Sequence, residues 1–150
     1  MNDLIESLLV REIKVEDAER LGEIQASITK VAPDFDFRQI IEPQISRREN
    51  ASYVAEVDGK VVGYMISYVV YGGYGLEKSA WIATLGVDPK YMGRGVGKRL
   101  AKKILDRYKE MGVKNIYTSV LWDSADVLSF FKTLGFSRSD HINLRKELDL

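Results

Sequence analysis

The chain has 150 residues, 45% hydrophobic and 29% charged, with 22 basic and 22 acidic side chains. That is the size of one domain, residues 1–150, with one sizeable core, and its zero net charge gives the whole molecule no electrostatic case for nucleic acid. The absence of cysteine excludes disulfides, thiolate metal sites and any mechanism that holds an acyl group on a protein thiol.

From the N-terminus, Met1 to Leu9 carries Asp3 and Glu6 but no positive cluster ahead of its apolar residues, which is not the layout of a secretory signal. No apolar run approaches the ~18 residues needed to cross a bilayer, so a cytoplasmic location away from membranes is expected. Leu8 to Ile13 reads as a strand, and Glu16 to Thr29 as a helix with Ala18, Leu21, Ile24 and Ile28 on one face. Pro33, Asp34 and Asp36 break the pattern. A second helix is expected over Phe37 to Arg48, ended or kinked by Pro43.

Ala51 to Val57 and Lys60 to Tyr71 flank Asp58-Gly59, a dipeptide suited to the positive φ angles of a two-residue hairpin turn. Gly72, Gly73 and Gly75 make the next connection, and Ser79 to Val87 is a further strand closed by Asp88-Pro89. From Gly95 to Met111, the residues Val96, Leu100, Ala101, Ile104, Leu105, Tyr108 and Met111 fall on one helical face, and Gly112 stops the helix. Asn115 to Leu121 reads as a strand and Ser124 to Leu134 as a helix stopped by Gly135. The last strand expected is Ile142 to Leu148, with one more short strand near Phe136 as an option. His141, the single histidine, reads as a solvated residue beside that last strand, and one histidine builds no metal site. The sum is an α/β chain, a mixed sheet flanked by helices.

The informative stretch runs from Leu85 to Arg99, a strand passing through a glycine-rich loop into a helix. Gly93, Gly95 and Gly97 let backbone approach an anion, while the first helical turn leaves N–H groups without internal partners. Residues 88–103 hold Lys90, Arg94, Lys98, Arg99, Lys102 and Lys103 against the single acid Asp88. Cations at a helix N-terminus oppose its dipole at ~0.3–1 kcal/mol each, which points to an anion that joins them. The Walker loop does not fit, since Gly97-Lys98 is followed by Arg99 and the magnesium-binding hydroxyl is missing. The dinucleotide fingerprint does not fit either, because these glycines alternate and follow an antiparallel meander.

Met92-Gly-Arg-Gly95-Val-Gly97, preceded by Leu85-Gly-Val87-Asp-Pro89, resembles the central motif of the GNAT superfamily of acyl-CoA-dependent N-acyltransferases. Gly112 to Val120 and Phe130 to Phe136 are similar to its later strand and helix end, so roughly residues 52 to 148 carry the resemblance. It implies a single N-acetyltransferase domain with a mixed, mostly antiparallel central sheet and about four helices, using acetyl-CoA and no metal. The acceptor implied is a small-molecule or peptide amine, and exposed edge strands suit a homodimer.

Carried over by position, the resemblance puts the CoA pyrophosphate on backbone N–H groups of Gly93, Arg94, Gly95, Val96, Gly97 and Lys98. Pantetheine goes to Leu85 and Val87, with the Leu85 N–H as a one-donor oxyanion hole. Met92 stands where the family has Gln or Arg, Phe131 where a tyrosine often protonates the departing thiolate, and Ser124 where an asparagine is common. A thiol of pKa ~8.5 leaves without full protonation, but an amine of pKa ~10.4 must first lose a proton. Trp81 and Ala83 occupy the strand where relatives carry a glutamate. The base candidates are therefore Glu77, Asp123 and the tyrosines Tyr64, Tyr68, Tyr71 and Tyr74, with Ser124 as a weaker participant. The absent general acid leaves a CoA-binding sensor of low or no activity as the alternative.

Overall fold

A computed structural model describes residues 7–47, 51–72 and 78–150. Its strands β1 (Leu8–Glu12), β2 (Tyr53–Val57), β3 (Lys60–Tyr71), β4 (Lys78–Val87) and β5 (Ile116–Thr118) lie side by side in that order in one sheet. The first four are antiparallel neighbours. Asp58 and Gly59 turn β2 into β3 with φ angles of 52° and 79°, the geometry that matches the right-handed twist of the paired strands. β5 joins β4 in parallel, which requires a long crossover. Helix α3 (Val96–Glu110) supplies it.

Helices α1 (Ala18–Thr29), α2 (Arg38–Ile45) and α4 (Ala125–Thr133) complete the fold. Along β3, Met65 and Val69 pack against Leu100, Ala101, Ile104 and Tyr108 of α3 and Phe131 of α4. Tyr64 and Ile66, one residue out of phase, pack against Leu21 and Ile24 of α1 and against Phe37 and Ile41. The two cores thus follow from the side-chain alternation of a single strand. Burial of each large aliphatic residue contributes roughly 1.5–3 kcal/mol.

One polar cluster crosses the α3-facing core. The Tyr108 hydroxyl accepts the Ala51 N–H at 3.2 Å and lies 2.7 Å from Ser67 Oγ. Ser67 Oγ also donates to the Ala51 carbonyl, and Ser52 Oγ accepts the Ser67 N–H at 3.0 Å. Each buried group there has a partner, as burial of polar atoms demands.

The C-terminal expectation is corrected. β5 spans three residues, not Asn115 to Leu121, and no strand forms over Ile142 to Leu148 or near Phe136. Alternation alone does not make a strand: Ile142, Leu144 and Leu148 are 73%, 83% and 66% exposed, so no packing layer rewards the pattern. Arg145 and Glu147 pair with one another at 3.5 Å instead. Pro43 does not break α2, which ends two residues later at Ile45. No helix among the described residues is long and apolar enough to cross a membrane.

Candidate active site

β4 and β5 are neighbours for a short distance only. Ala80, Trp81 and Ile82 pair with Ile116, Tyr117 and Thr118, and Thr118 Oγ1 closes the pairing with a 3.0 Å bond to the Ile82 carbonyl. β4 continues to Val87, paired there with β3 but, among the described residues, with no strand on its other side. At the parting the β3–β4 register changes from Ser67↔Ile82 to Ile66↔Thr84, so Ala83 is an extra residue, a β-bulge.

The bulge determines which amides face the opening. Before it, the Ala80 N–H donates toward β5, to the Asn115 carbonyl at 3.1 Å. After it, the Asp88 N–H donates to Val62 on β3 at 2.8 Å. Because successive N–H groups alternate sides, stepping back from Asp88 turns the Val87 and Leu85 N–H groups to the open side. Without the extra residue the phase would be reversed and these two donors would be spent on β3.

Asp88 then shapes the loop. Its carboxylate accepts the Lys90 N–H at 3.0 Å, starting the tight turn Pro89–Tyr91, and receives Arg20 Nη2 at 2.8 Å. Arg20 Nε donates to the Val61 carbonyl at 2.8 Å, tying α1 to the loop entrance. Burial pushes the Asp88 carboxyl up, but the Lys90 N–H and the Arg20 guanidinium together outweigh it and hold the group below its ordinary value.

Gly93 and Gly95 adopt φ angles of 76° and 85°, a region that strains any residue with a Cβ. The first α3 bond is Arg99 N–H to the Gly95 carbonyl, 3.0 Å. The N–H groups of Val96, Gly97 and Lys98 therefore have no carbonyl within the helix, no side chain caps them and no acid lies in the first turn. Gly97 serves another need, since a Cβ there would lie 3.2 Å from the Phe130 ring. Lys90, Arg94 and Lys98 are exposed around the loop. The cations further along α3 are engaged elsewhere, Lys102 with Asp106 at 2.8 Å and Lys103 over the Tyr53 ring at 5.9 Å. A row of amides on β4 followed by a cluster at a helix N-terminus suits a long ligand with an anionic end.

The model of the Acetyltransferase (GNAT) family matches residues 15–136. The chain belongs to that family. It is an acyl-CoA-dependent acetyltransferase. Solved GNAT structures share its fold. An aminoglycoside acetyltransferase from an uncultured soil metagenomic sample, in complex with sisomicin, is 19% identical with a TM-score of 0.77 over 97% of this chain and 99% of that one. The aminoglycoside N-acetyltransferase AAC(6')-Iy, in complex with CoA, is 16% identical with a TM-score of 0.77 over 93% and 94%. A ribosomal-protein-alanine N-acetyltransferase from Brucella melitensis biovar Abortus 2308 is 19% identical with a TM-score of 0.73 over 95% and 99%. At these identities the likeness speaks for the fold alone.

Within the GNAT frame the remaining candidates separate. Met92, 50% exposed, lies in the glycine loop. Phe131 is 2% exposed and meets Phe130 and Phe136 edge-on, at 5.2 and 5.1 Å, so its ring belongs to the core under α4. Ser124 precedes α4, its carbonyl accepting the Leu128 N–H at 3.0 Å, and Asp123 is exposed beside it. Tyr64 is buried under α1 and α2, its hydroxyl pushed up by burial against a smaller opposing effect of its bond to Thr84. Tyr71 is exposed, with Lys78 Nζ 6.0 Å from its ring centre. Glu77 and Tyr74 lie outside the described residues.

Tyr68 lines a cavity of about 490 Å³ where β4 and β5 separate. Trp81, Ala83, Ser119 and Asn143 line it too. Trp81 stacks on Tyr117 with ring centres 5.1 Å apart and planes at 27°, and His141 meets the edge of Tyr117 at 6.1 Å. Sequence reasoning missed this wall because Trp81 and Tyr117 become neighbours only through the parallel pairing.

Proposed function

We propose that this GNAT enzyme transfers an acetyl group from acetyl-CoA to a primary amine, small molecule or peptide, by direct attack in a ternary complex. The observation that carries this reading is the run of outward N–H donors, Leu85 and Val87 on the open edge of β4 and then Val96, Gly97 and Lys98 at the start of α3. The loop from Met92 to Lys98 holds the pyrophosphate, Arg94 and Lys98 adding charge. Leu85 and Val87 align the pantetheine arm, and the Leu85 N–H stabilises negative charge developing on the acyl oxygen. Bound acetyl-CoA supplies an acetyl thioester activated for attack by the amine. Phe131 acts through packing, holding Phe130 against Gly97, while Ser124 sits where α4 begins.

Direct attack is favoured because the chain has no cysteine to carry the acyl group. Tyr68, Glu77 and Asp123 are the groups proposed to accept the amine proton, directly or through water. The β5 edge, which pairs with no further strand among the described residues, and the exposed apolar residues of the C-terminal segment support a homodimer. A second reading, CoA binding without turnover, draws on Phe131, a side chain with no hydroxyl to serve as the acid at that position.

Calorimetry with acetyl-CoA, followed by thiol release across a panel of amines, tests these readings. Binding with release supports the transferase. Binding with no release from any amine supports the second reading, and no binding removes both.

A further inference from the structure

We infer that the acceptor pocket of this enzyme selects an amine borne on an aromatic or flat apolar group and discriminates against polycations. The inference rests on the transferase reading above and deepens it by naming the class of acceptor.

Placement comes from the sheet. α3 and α4, which begin and back the proposed CoA site, pack on the β3 face that carries Met65 and Val69. Tyr68 and Val70 lie on the opposite face, by the same alternation that puts Tyr64 and Ile66 there. Trp81 pairs with Tyr68 across β3–β4 and with Tyr117 across β4–β5, so all three side chains share that face. The 490 Å³ cavity, lined by Tyr68 and Trp81 of these three, reaches Ile82 and Ala83, the point where the strands part. It therefore opens on the Leu85 end of β4 from the side opposite the proposed cofactor.

The lining gives the chemistry. Its polar side chains include Tyr68, Ser119 and Asn143, with Asn143 Nδ2 3.3 Å from Ser119 Oγ. Among the described residues the lining holds no carboxylate. One ladder pair beyond Val70 and Ser79 stands Lys78, itself a cation. A base such as Glu77 or Asp123 meets one amine, but taking the further ammonium groups of a polyamine or aminosugar out of water against this lining is unfavourable, so such a surface disfavours polycations. Trp81, held in place by its stack on Tyr117, offers a flat apolar wall against which a ring gains contact, and the neutral polar groups suffice to orient one uncharged amine. The volume is that of a small-molecule site.

The test compares kcat/KM for thiol release with 2-phenylethylamine, butylamine, spermidine and kanamycin at saturating acetyl-CoA. The aromatic amine is expected to exceed each of the others by about 10-fold or more. Trp81→Ala should collapse that preference through KM for phenylethylamine while leaving the calorimetric Kd for CoA unchanged, and Trp81→Phe should restore much of it. Ser119→Asp, which adds the missing carboxylate without touching the core, should shift the ratio toward spermidine. Spermidine or kanamycin as the best acceptor, or a Trp81→Ala loss equal for every amine in a folded protein, overturns this inference and leaves the transferase reading standing. Failure to bind CoA, or release with no amine at all, overturns both.

Discussion

Arg20 of α1 and Asp88 at the entrance of the glycine loop meet at 2.8 Å, so a helix from the N-terminal part of the chain helps set the position of that loop. The guanidinium spans two targets, Asp88 and the Val61 carbonyl, and Asp88 in turn holds the Lys90 N–H. Arg20→Met keeps the length of the side chain and removes the bonds. It should weaken CoA about 10-fold by calorimetry and lower stability by ~1–3 kcal/mol, with secondary structure intact by circular dichroism. Arg20→Lys restores one of the two contacts and should fall between the two.

The same carboxylate gives a pH signature. Its folded value lies below the ordinary one, so the stability it adds is fully present above the unfolded value of about 3.9 and is lost as pH falls through the folded value. Asp88→Asn abolishes that component. Denaturant midpoints measured from pH 6 to pH 2 should fall less steeply for Asp88→Asn than for the wild type, and parallel curves would count against the pairing.

Gly95 has open space around its Cβ position but a φ of 85°, so its need is conformational and not steric. Gly95→Ala should cost ~1–2 kcal/mol of stability and weaken CoA by more than it weakens the fold. Comparison of its melting temperature with its calorimetric Kd checks both.

Tyr108 is fully buried and its hydroxyl accepts the Ala51 N–H. Tyr108→Phe leaves that donor without its partner in the core, at ~1–3 kcal/mol. A urea titration should show the lowered midpoint with the slope unchanged. The KM for acetyl-CoA should change less than for Arg20→Met, because Tyr108 lies two turns or more from the glycine loop.

Local chemistry made much of this molecule readable from its residues. Asp58-Gly59 forces a tight turn wherever it is placed, and β3 has the bounds Lys60–Tyr71 that the alternation indicates. Gly95 and Gly112 bracket α3 because each carries a positive φ that a helix cannot continue through. The glycine loop and its basic side chains were visible for the same reason. The facts that depend on distant residues were not. The bulge at Ala83 is a relation between β3 and β4, and the Trp81–Tyr117 stack depends on the return of the chain through α3. Ile142 to Leu148 shows the opposite failure, a correct alternation with no layer to cover it. The cation cluster was overcounted because Lys103 finds Tyr53, fifty residues away, and Lys102 finds Asp106 one turn on.

β5 contributes three residues and then leaves the sheet, and its brevity has a chemical consequence. Pairing continued along β4 as far as Val87 would fasten the seam beside Leu85, engage the Leu85 and Val87 amides with carbonyls and turn the crevice into ordinary sheet. On the proposed reading the incomplete hydrogen-bonded edge is what leaves the reaction centre open, so lengthening that strand should strengthen the scaffold and silence the chemistry together.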